Sequence, residues 1–327
     1  MINWGIIGCG NVTEVKSGPA FSKVPGSSLA AVMRRNRILA EDYARRHNVP
    51  RFYDNADELI NDQEVNAVYI ATPPGSHAEY AIKTIMAGKP VYIEKPMAVS
   101  YTECLQINET AEKYNVPVFV AYYRRALPGF LKVKELIESG AVGNVRYVSL
   151  QLFKSPSDDE REGKKSWRID PKISGGGHFF DLASHELDYL DFLFGPVQTV
   201  RSSALNQGNL YEAEDLVTAE LLLPNNIAVS GAWCFSLSGE ANRDIIEICG
   251  EKGFIKFSCF TFEPIVLTTA YGVREFFNER PENVQYYLIK DIVQALQGKG
   301  SSPSTGMSAA RTSRVMDEIV REYYGRA

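Results

Sequence analysis

The chain of 327 residues is longer than one ordinary hydrophobic core requires and suits two domains of usual size. Its hydrophobic and charged fractions, 45% and 23%, are those of a globular protein and exclude disordered and collagen-like classes. A net charge of −5 without a basic stripe argues against nucleic acid as a partner, and no apolar run approaches a membrane span.

Met1 leads straight into a strand-like run with no basic n-region or cleavage site, which predicts a cytoplasmic protein. The five cysteines, Cys9, Cys104, Cys234, Cys249 and Cys259, are widely spaced and contain no C-x-x-C pair. This argues against a disulfide framework and a zinc knuckle, and fits buried thiols in a reducing compartment. No metal site is expected.

The first third alternates short apolar runs with amphipathic segments. Strands are expected at Ile2–Ile7, Ser28–Met33, Ala67–Ala71, Val91–Ile93 and Val118–Ala121. Between them, a loop and helix over Asn11–Ser22 is followed by helices at Ile38–His47, Ala56–Asn61, His77–Ala87 and Thr102–Tyr114. Such alternation predicts a parallel sheet covered on both faces.

After Tyr122 the texture changes. A helix at Pro128–Glu138 precedes a strand at Val145–Phe153, a polar stretch over Lys154–Lys165 read as an exposed loop, and a helix over Gly177–Phe194. Strand-like runs follow at Thr199–Ala204, Asp215–Leu222, Ile227–Phe235, Asp244–Ile248, Phe254–Cys259 and Ile265–Ala270, then helices at Val284–Gln297 and Ser308–Tyr324. The fold class is therefore α/β: a Rossmann dinucleotide-binding domain over residues 1–122, then an α+β domain with a mostly antiparallel, open sheet over 123–327.

Gly8 and Gly10 follow the first strand, where they permit a tight turn and let backbone amides at Asn11 and Val12 approach a pyrophosphate at a helix N-terminus. The third position of the G-x-G-x-x-G/A pattern is Thr13, a departure. The second strand ends not in the acid that would bond a ribose 2′-hydroxyl but in Arg34-Arg35-Asn36-Arg37. Arginines also serve to solvate loops, yet a guanidinium forks onto a 2′-phosphate, so NADP is the favoured cofactor with NAD as the alternative.

Glu94-Lys95-Pro96 directly follows the apolar strand Val91–Ile93, at the carboxyl edge where open α/β sheets bind ligands. Proline after Lys95 restricts the backbone and could be cis. Further on, Gly175-Gly176-Gly177 opens a helix whose core stripe is Ala183, Leu187, Leu190 and Phe194. Asp181 and His185 lie one turn apart and away from that stripe, as does Asp188. A carboxylate beside an imidazole suits acid–base work, but an N-terminal helix acid and a satisfied histidine would look the same. His47 reads as a surface residue, and His178 has no visible partner.

Together these residues resemble the glucose–fructose oxidoreductase/inositol dehydrogenase/MocA family along nearly the whole chain. The likeness runs through the glycine turn, Ala71-Thr72-Pro73-Pro74-Gly75-Ser76-His77, Glu94-Lys95-Pro96, Tyr123-Arg124-Arg125, Trp167-Arg168 and the helix with Asp181 and His185. The resemblance implies that Thr72, Pro73 and His77 line the cofactor, that Glu94 and Lys95 face the nicotinamide side, and that Trp167 and Arg168 close over it. It implies Lys95, Asp181 and His185 as the catalytic group, and association of like chains through the second sheet. The expected function is NAD(P)-linked interconversion of a carbonyl and a secondary alcohol on a sugar, polyol or related cyclic substrate. A glycosidase with retained nicotinamide would instead release free sugar without net cofactor turnover. A non-catalytic dinucleotide-binding regulator would lack the catalytic residues present here.

Overall fold

The computed structural model describes residues 1–325. Packing divides the chain into two compact units, one formed by Met1–Leu127 with Pro281–Ala310, the other by Pro128–Arg280 with the chain from Arg311 onward. This differs from the single division expected after Tyr122, because the chain returns to its first unit late. Asn283 Nδ2 donates to Val15 O at 2.6 Å, and Gln285 is hydrogen-bonded within the first unit's interior.

The first unit is built on six strands: β1 (Ile2–Ile7), β2 (Ser27–Met33), β3 (Arg51–Tyr53), β4 (Ala67–Ile70), β5 (Val91–Ile93) and β6 (Val118–Val120). They lie in the order β3-β2-β1-β4-β5-β6 and all pair parallel. The order reverses between β1 and β4, which is where doubly wound sheets open a crevice at the carboxyl ends of their strands. β4, β5 and β6 are buried along their whole length, as strands covered on both faces must be. Polar caps start the covering helices: Asn36 accepts from the amide of Leu39 and Ser100 from that of Glu103.

The second unit carries eight strands: β7 (Val145–Phe153), β8 (Thr199–Leu205), β9 (Leu216–Leu223), β10 (Ile227–Cys234), β11 (Arg243–Gly250), β12 (Gly253–Phe257), β13 (Ile265–Thr269) and β14 (Gly272–Phe276). Their order is β14-β13-β12-β11-β7-β10-β9-β8, antiparallel throughout except for β7 with β10. Period-2 alternation buries Val148, Leu150 and Leu152 of β7 and Val229 and Trp233 of β10 on one face, and leaves Tyr147 and Ala228 exposed on the other. The helix His178–Phe194 is buried nearly all round. Asp188 is therefore not on a polar face as expected: it is buried and accepts from Thr312 Oγ1 at 3.3 Å.

Two strands lie outside those expected from the sequence: β3, a three-residue strand too short to show a period, and β14, whose residues are mostly exposed. The polar stretch Lys154–Lys165 also differs from a plain loop. It holds a short helix, Asp158–Arg161, with a capping box between Ser157 and Glu160, and Glu160 is buried.

Candidate active site

The glycine turn after β1 is shaped by two different constraints. Gly8 has φ +94°, and a Cβ there would lie 2.7 Å from Thr72 Cγ2 and 2.9 Å from the backbone of Ala71, so only glycine serves. A Cβ on Gly10 would meet nothing closer than 3.9 Å, which leaves room above the turn. Among the described residues, the amides of Asn11 and Val12 have no protein acceptor, as the first amides of a helix lack an intrahelical one. Open space faced by unsatisfied amides fits a dinucleotide pyrophosphate.

Thr13 departs from the glycine pattern without spoiling the turn. Its hydroxyl accepts from the Gly10 amide at 3.0 Å and donates to the Gly10 carbonyl at 2.8 Å, which takes the Gly10 amide out of the anion site. The close approach that a third glycine would allow falls instead at Gly18, where a Cβ would lie 2.1 Å from Thr13 O and 2.3 Å from Tyr43 Oη. Burial pushes the Cys9 thiol up to about 11, against the charge of the nearby Arg34.

Arg34 and Arg35, at the end of β2, are exposed and form no ion pair among the described residues. Arg37 is different: it lies 3.6 Å from Asp54 and over the ring of Phe52. His47 is more engaged than a surface residue, 2.7 Å from Glu14 Oε2 and stacked on Tyr43.

Beyond β5 the chain forms the second part of the site. The Lys95–Pro96 peptide bond is cis. From Val91 to Ala98 every residue is buried except Lys95. Glu94, 7% exposed, turns inward and accepts at Oε1 from Tyr69 Oη and Gln285 Nε2, both at 2.5 Å. Its Oε2 accepts from the Lys95 amide at 3.2 Å.

His77 corrects an expectation. It has no exposed surface, and its ring nitrogens lie 3.0 Å from Pro96 O and 2.7 Å from Thr72 O. Such a group does not line a ligand; it ties the Thr72 loop to the Pro96 loop. Burial holds its pKa below the ordinary value, with the two carbonyls opposing that shift. Thr72 and Pro73 themselves are partly exposed.

In the second unit, each glycine of the triplet before the helix has its own reason. Gly175 takes φ +86°, a Cβ on Gly176 would strike the Phe180 ring at 2.1 Å, and one on Gly177 would lie 2.8 Å from both Ala213 Cβ and Glu214 O. Gly177 N also donates to Glu214 Oε1 at 2.9 Å, which fixes the helix start. Asp181 and His185 are the expected one turn apart. His185 is 3% exposed with its ring edge-on to Phe260 at 6.0 Å. Asp181 accepts from Arg168 Nε at 3.2 Å, and that guanidinium lies 4.4 Å above the Trp167 ring. His178 does have a partner, Glu160 Oε1 at 2.5 Å, one that sequence spacing could not reveal.

A doubly wound parallel sheet with a glycine turn and free helix amides at its switch point defines a dinucleotide-binding α/β protein. The comparisons with known proteins narrow that class. Residues 2–122 match the profile of the oxidoreductase family with an NAD-binding Rossmann fold, and residues 130–256 match the GFO/IDH/MocA C-terminal domain. The chain belongs to the glucose–fructose oxidoreductase/inositol dehydrogenase/MocA family of oxidoreductases.

Among its relatives, Oxidoreductase P35 of Formosa agariphila is 40% identical over 97% of each chain. The trans-1,2-dihydrobenzene-1,2-diol dehydrogenase of Xenopus tropicalis is 23% identical over 98% of this chain and 97% of its own. A levoglucosan dehydrogenase structure in complex with NADH and levoglucosan shares the fold at TM-score 0.89 and 22% identity, covering 100% of this chain and 98% of that one. Among the described residues, no helix is long and apolar enough to cross a membrane, and no cluster of histidine, cysteine and acidic residues could hold a metal ion.

Proposed function

We propose that this oxidoreductase interconverts a carbonyl and a secondary alcohol on a sugar, polyol or related cyclic substrate, with NADP preferred over NAD. The observation that carries the reading is the emergence of Lys95, alone in a buried stretch, at the carboxyl end of β5. Levoglucosan and trans-dihydrobenzenediol, named for two relatives, are both cyclic compounds with secondary hydroxyls, and that is the substrate class favoured here.

Gly8, Gly10, Asn11 and Val12 would hold the pyrophosphate, with Thr72 and Pro73 beside it and Trp167 and Arg168 covering the cofactor. When bound, the nicotinamide supplies hydride exchange at its C4. Lys95, an ammonium with three donors, bonds the substrate oxygen and stabilises it as it becomes alkoxide. His185 gives or takes the proton, and Asp181 sets the charge beside it. Glu94 is a positioning group in this scheme, since its oxygens already have three protein donors.

NADP preference rests on Arg34 and Arg35, exposed guanidinium groups with no acid beside them to bind a ribose 2′-hydroxyl. Association of like chains through the open face of the second sheet, around Tyr147 and Ala228, and a reducing cytoplasmic setting for the five widely spaced cysteines complete the reading.

The test is to mix the protein with levoglucosan, trans-1,2-dihydrobenzene-1,2-diol, inositol and simple aldoses, with NADP⁺ or NAD⁺, and follow absorbance at 340 nm. Turnover is expected, and Lys95→Met should lower kcat/KM by at least about 10² while the cofactor still binds. No turnover across the panel, or normal activity in Lys95→Met, would refute the proposal.

A further inference from the structure

The Lys95 loop is held by a residue from the far end of the first unit. Gln285 lies just before the helix Tyr286–Leu296 and is 1% exposed. Its Oε1 accepts from Tyr92 Oη at 2.8 Å and its Nε2 donates to Glu94 Oε1 at 2.5 Å. The orientation of its amide is fixed by these neighbours, because the opposite flip would set a carbonyl oxygen against a carboxylate. Its backbone amide is bonded to Lys16 O at 3.2 Å, so the side chain springs from an anchored point.

We infer that Gln285 is a positioning residue for Lys95, acting through Glu94. A buried carboxylate stays in place only while its oxygens have donors. Gln285 and Tyr69 hold one oxygen of Glu94, which leaves the other to accept the Lys95 amide. On the far side of Lys95, the Pro96 carbonyl is within reach of buried His77. Lys95 therefore emerges from a backbone fixed on both flanks, and its ammonium is aimed by groups that never meet substrate. Loss of the Gln285 donor frees Glu94 to turn or to recruit water, and the Lys95 amide then loses its acceptor. The inference rests on the proposed role of Lys95 in meeting the substrate oxygen.

The experiment uses the full chain in two arms. In the first, amide hydrogen exchange is measured by mass spectrometry on wild type and Gln285→Met, a variant that keeps length but cannot donate. The Lys95 amide should exchange at least about ten-fold faster while the amides of β10, in the other unit, are unchanged. Tyr92→Phe, which keeps Gln285 but removes the bond that orients it, should shift the same amide by a smaller factor, about three-fold. It serves as the test should Gln285→Met fail to fold.

In the second arm, kcat and KM are measured on the best substrate of the panel. Gln285→Met should lower kcat about ten-fold or more with cofactor affinity unchanged, and should cost nothing further in a Lys95→Met background. Unchanged exchange at Lys95 in both variants, or equal losses in both backgrounds, would overturn the inference. Normal activity in Lys95→Met alone would instead overturn the functional reading, while the exchange arm would still decide whether Gln285 holds the loop.

Discussion

Gly177→Ala tests how tightly the start of the His178–Phe194 helix is bound to its surroundings. The added Cβ would lie 2.8 Å from Ala213 Cβ and 2.8 Å from Glu214 O, a fixed methyl and a backbone oxygen that cannot rotate aside. Ordinary contact needs about 3.5 Å, so the helix start must move by about 0.7 Å. Overpacking of this kind costs about 1–3 kcal/mol. Alanine returns about 0.4–1 kcal/mol by narrowing the unfolded ensemble, and the φ of −101° here lies outside the left-handed region.

The net loss is thus about 0–2.6 kcal/mol, or a melting point lower by up to about 10 °C. Because the hydrogen bond from Gly177 N to Glu214 sets the position of Asp181 and His185 downstream, kcat should also fall about ten-fold, with cofactor affinity kept. Gly239→Ala, where a Cβ meets nothing within 4 Å, is the control and should be neutral. Thermal melts and steady-state rates on the three proteins decide it. A Gly177→Ala protein with wild-type melting and wild-type kcat would refute the reasoning.

Arg34→Asp should narrow or invert the preference for NADP over NAD, since one charge-assisted contact to a 2′-phosphate is worth about 1.5–3 kcal/mol; calorimetric titration of both cofactors checks this, and tighter NAD binding by the wild type would count against it. His185→Asn should cut kcat by about 10²–10⁴ with NADPH affinity nearly unchanged, as read from single-turnover and binding assays. The Arg46 guanidinium beside Glu14 lowers its carboxyl pKa to about 2, so this pair stabilises the fold fully above pH 4.5 and loses that contribution as pH falls toward 2. Arg46→Ala should therefore lower the melting point at pH 6 but leave it nearly unchanged at pH 2, and an equal drop at both would show that the carboxylate is not the cause.

The sequence by itself determined the order of the main elements, the glycine turn, the cis-capable Lys95–Pro96 step and the helix that carries Asp181 and His185 one turn apart. Those are local matters: a period of two or 3.6, a glycine where φ is positive or backbones meet, a charged residue directly after an apolar strand. The resemblance it carried also led to the right family.

What only the tertiary structure decided are pairings between distant segments. Gln285 reads as an ordinary polar residue before a helix until the returning chain sets it against Glu94. His77 looks like a helix-start residue with a face to a ligand, and becomes a buried tie between two loops because the Pro96 carbonyl closes over it. Glu160 sits in a run that reads as solvated, yet it is buried against His178. Thr13 departs from the glycine pattern, and the close backbone approach falls at Gly18 instead. Burial of a polar side chain depends on which partner folding delivers to it, and one-dimensional patterning records the residue but not the partner.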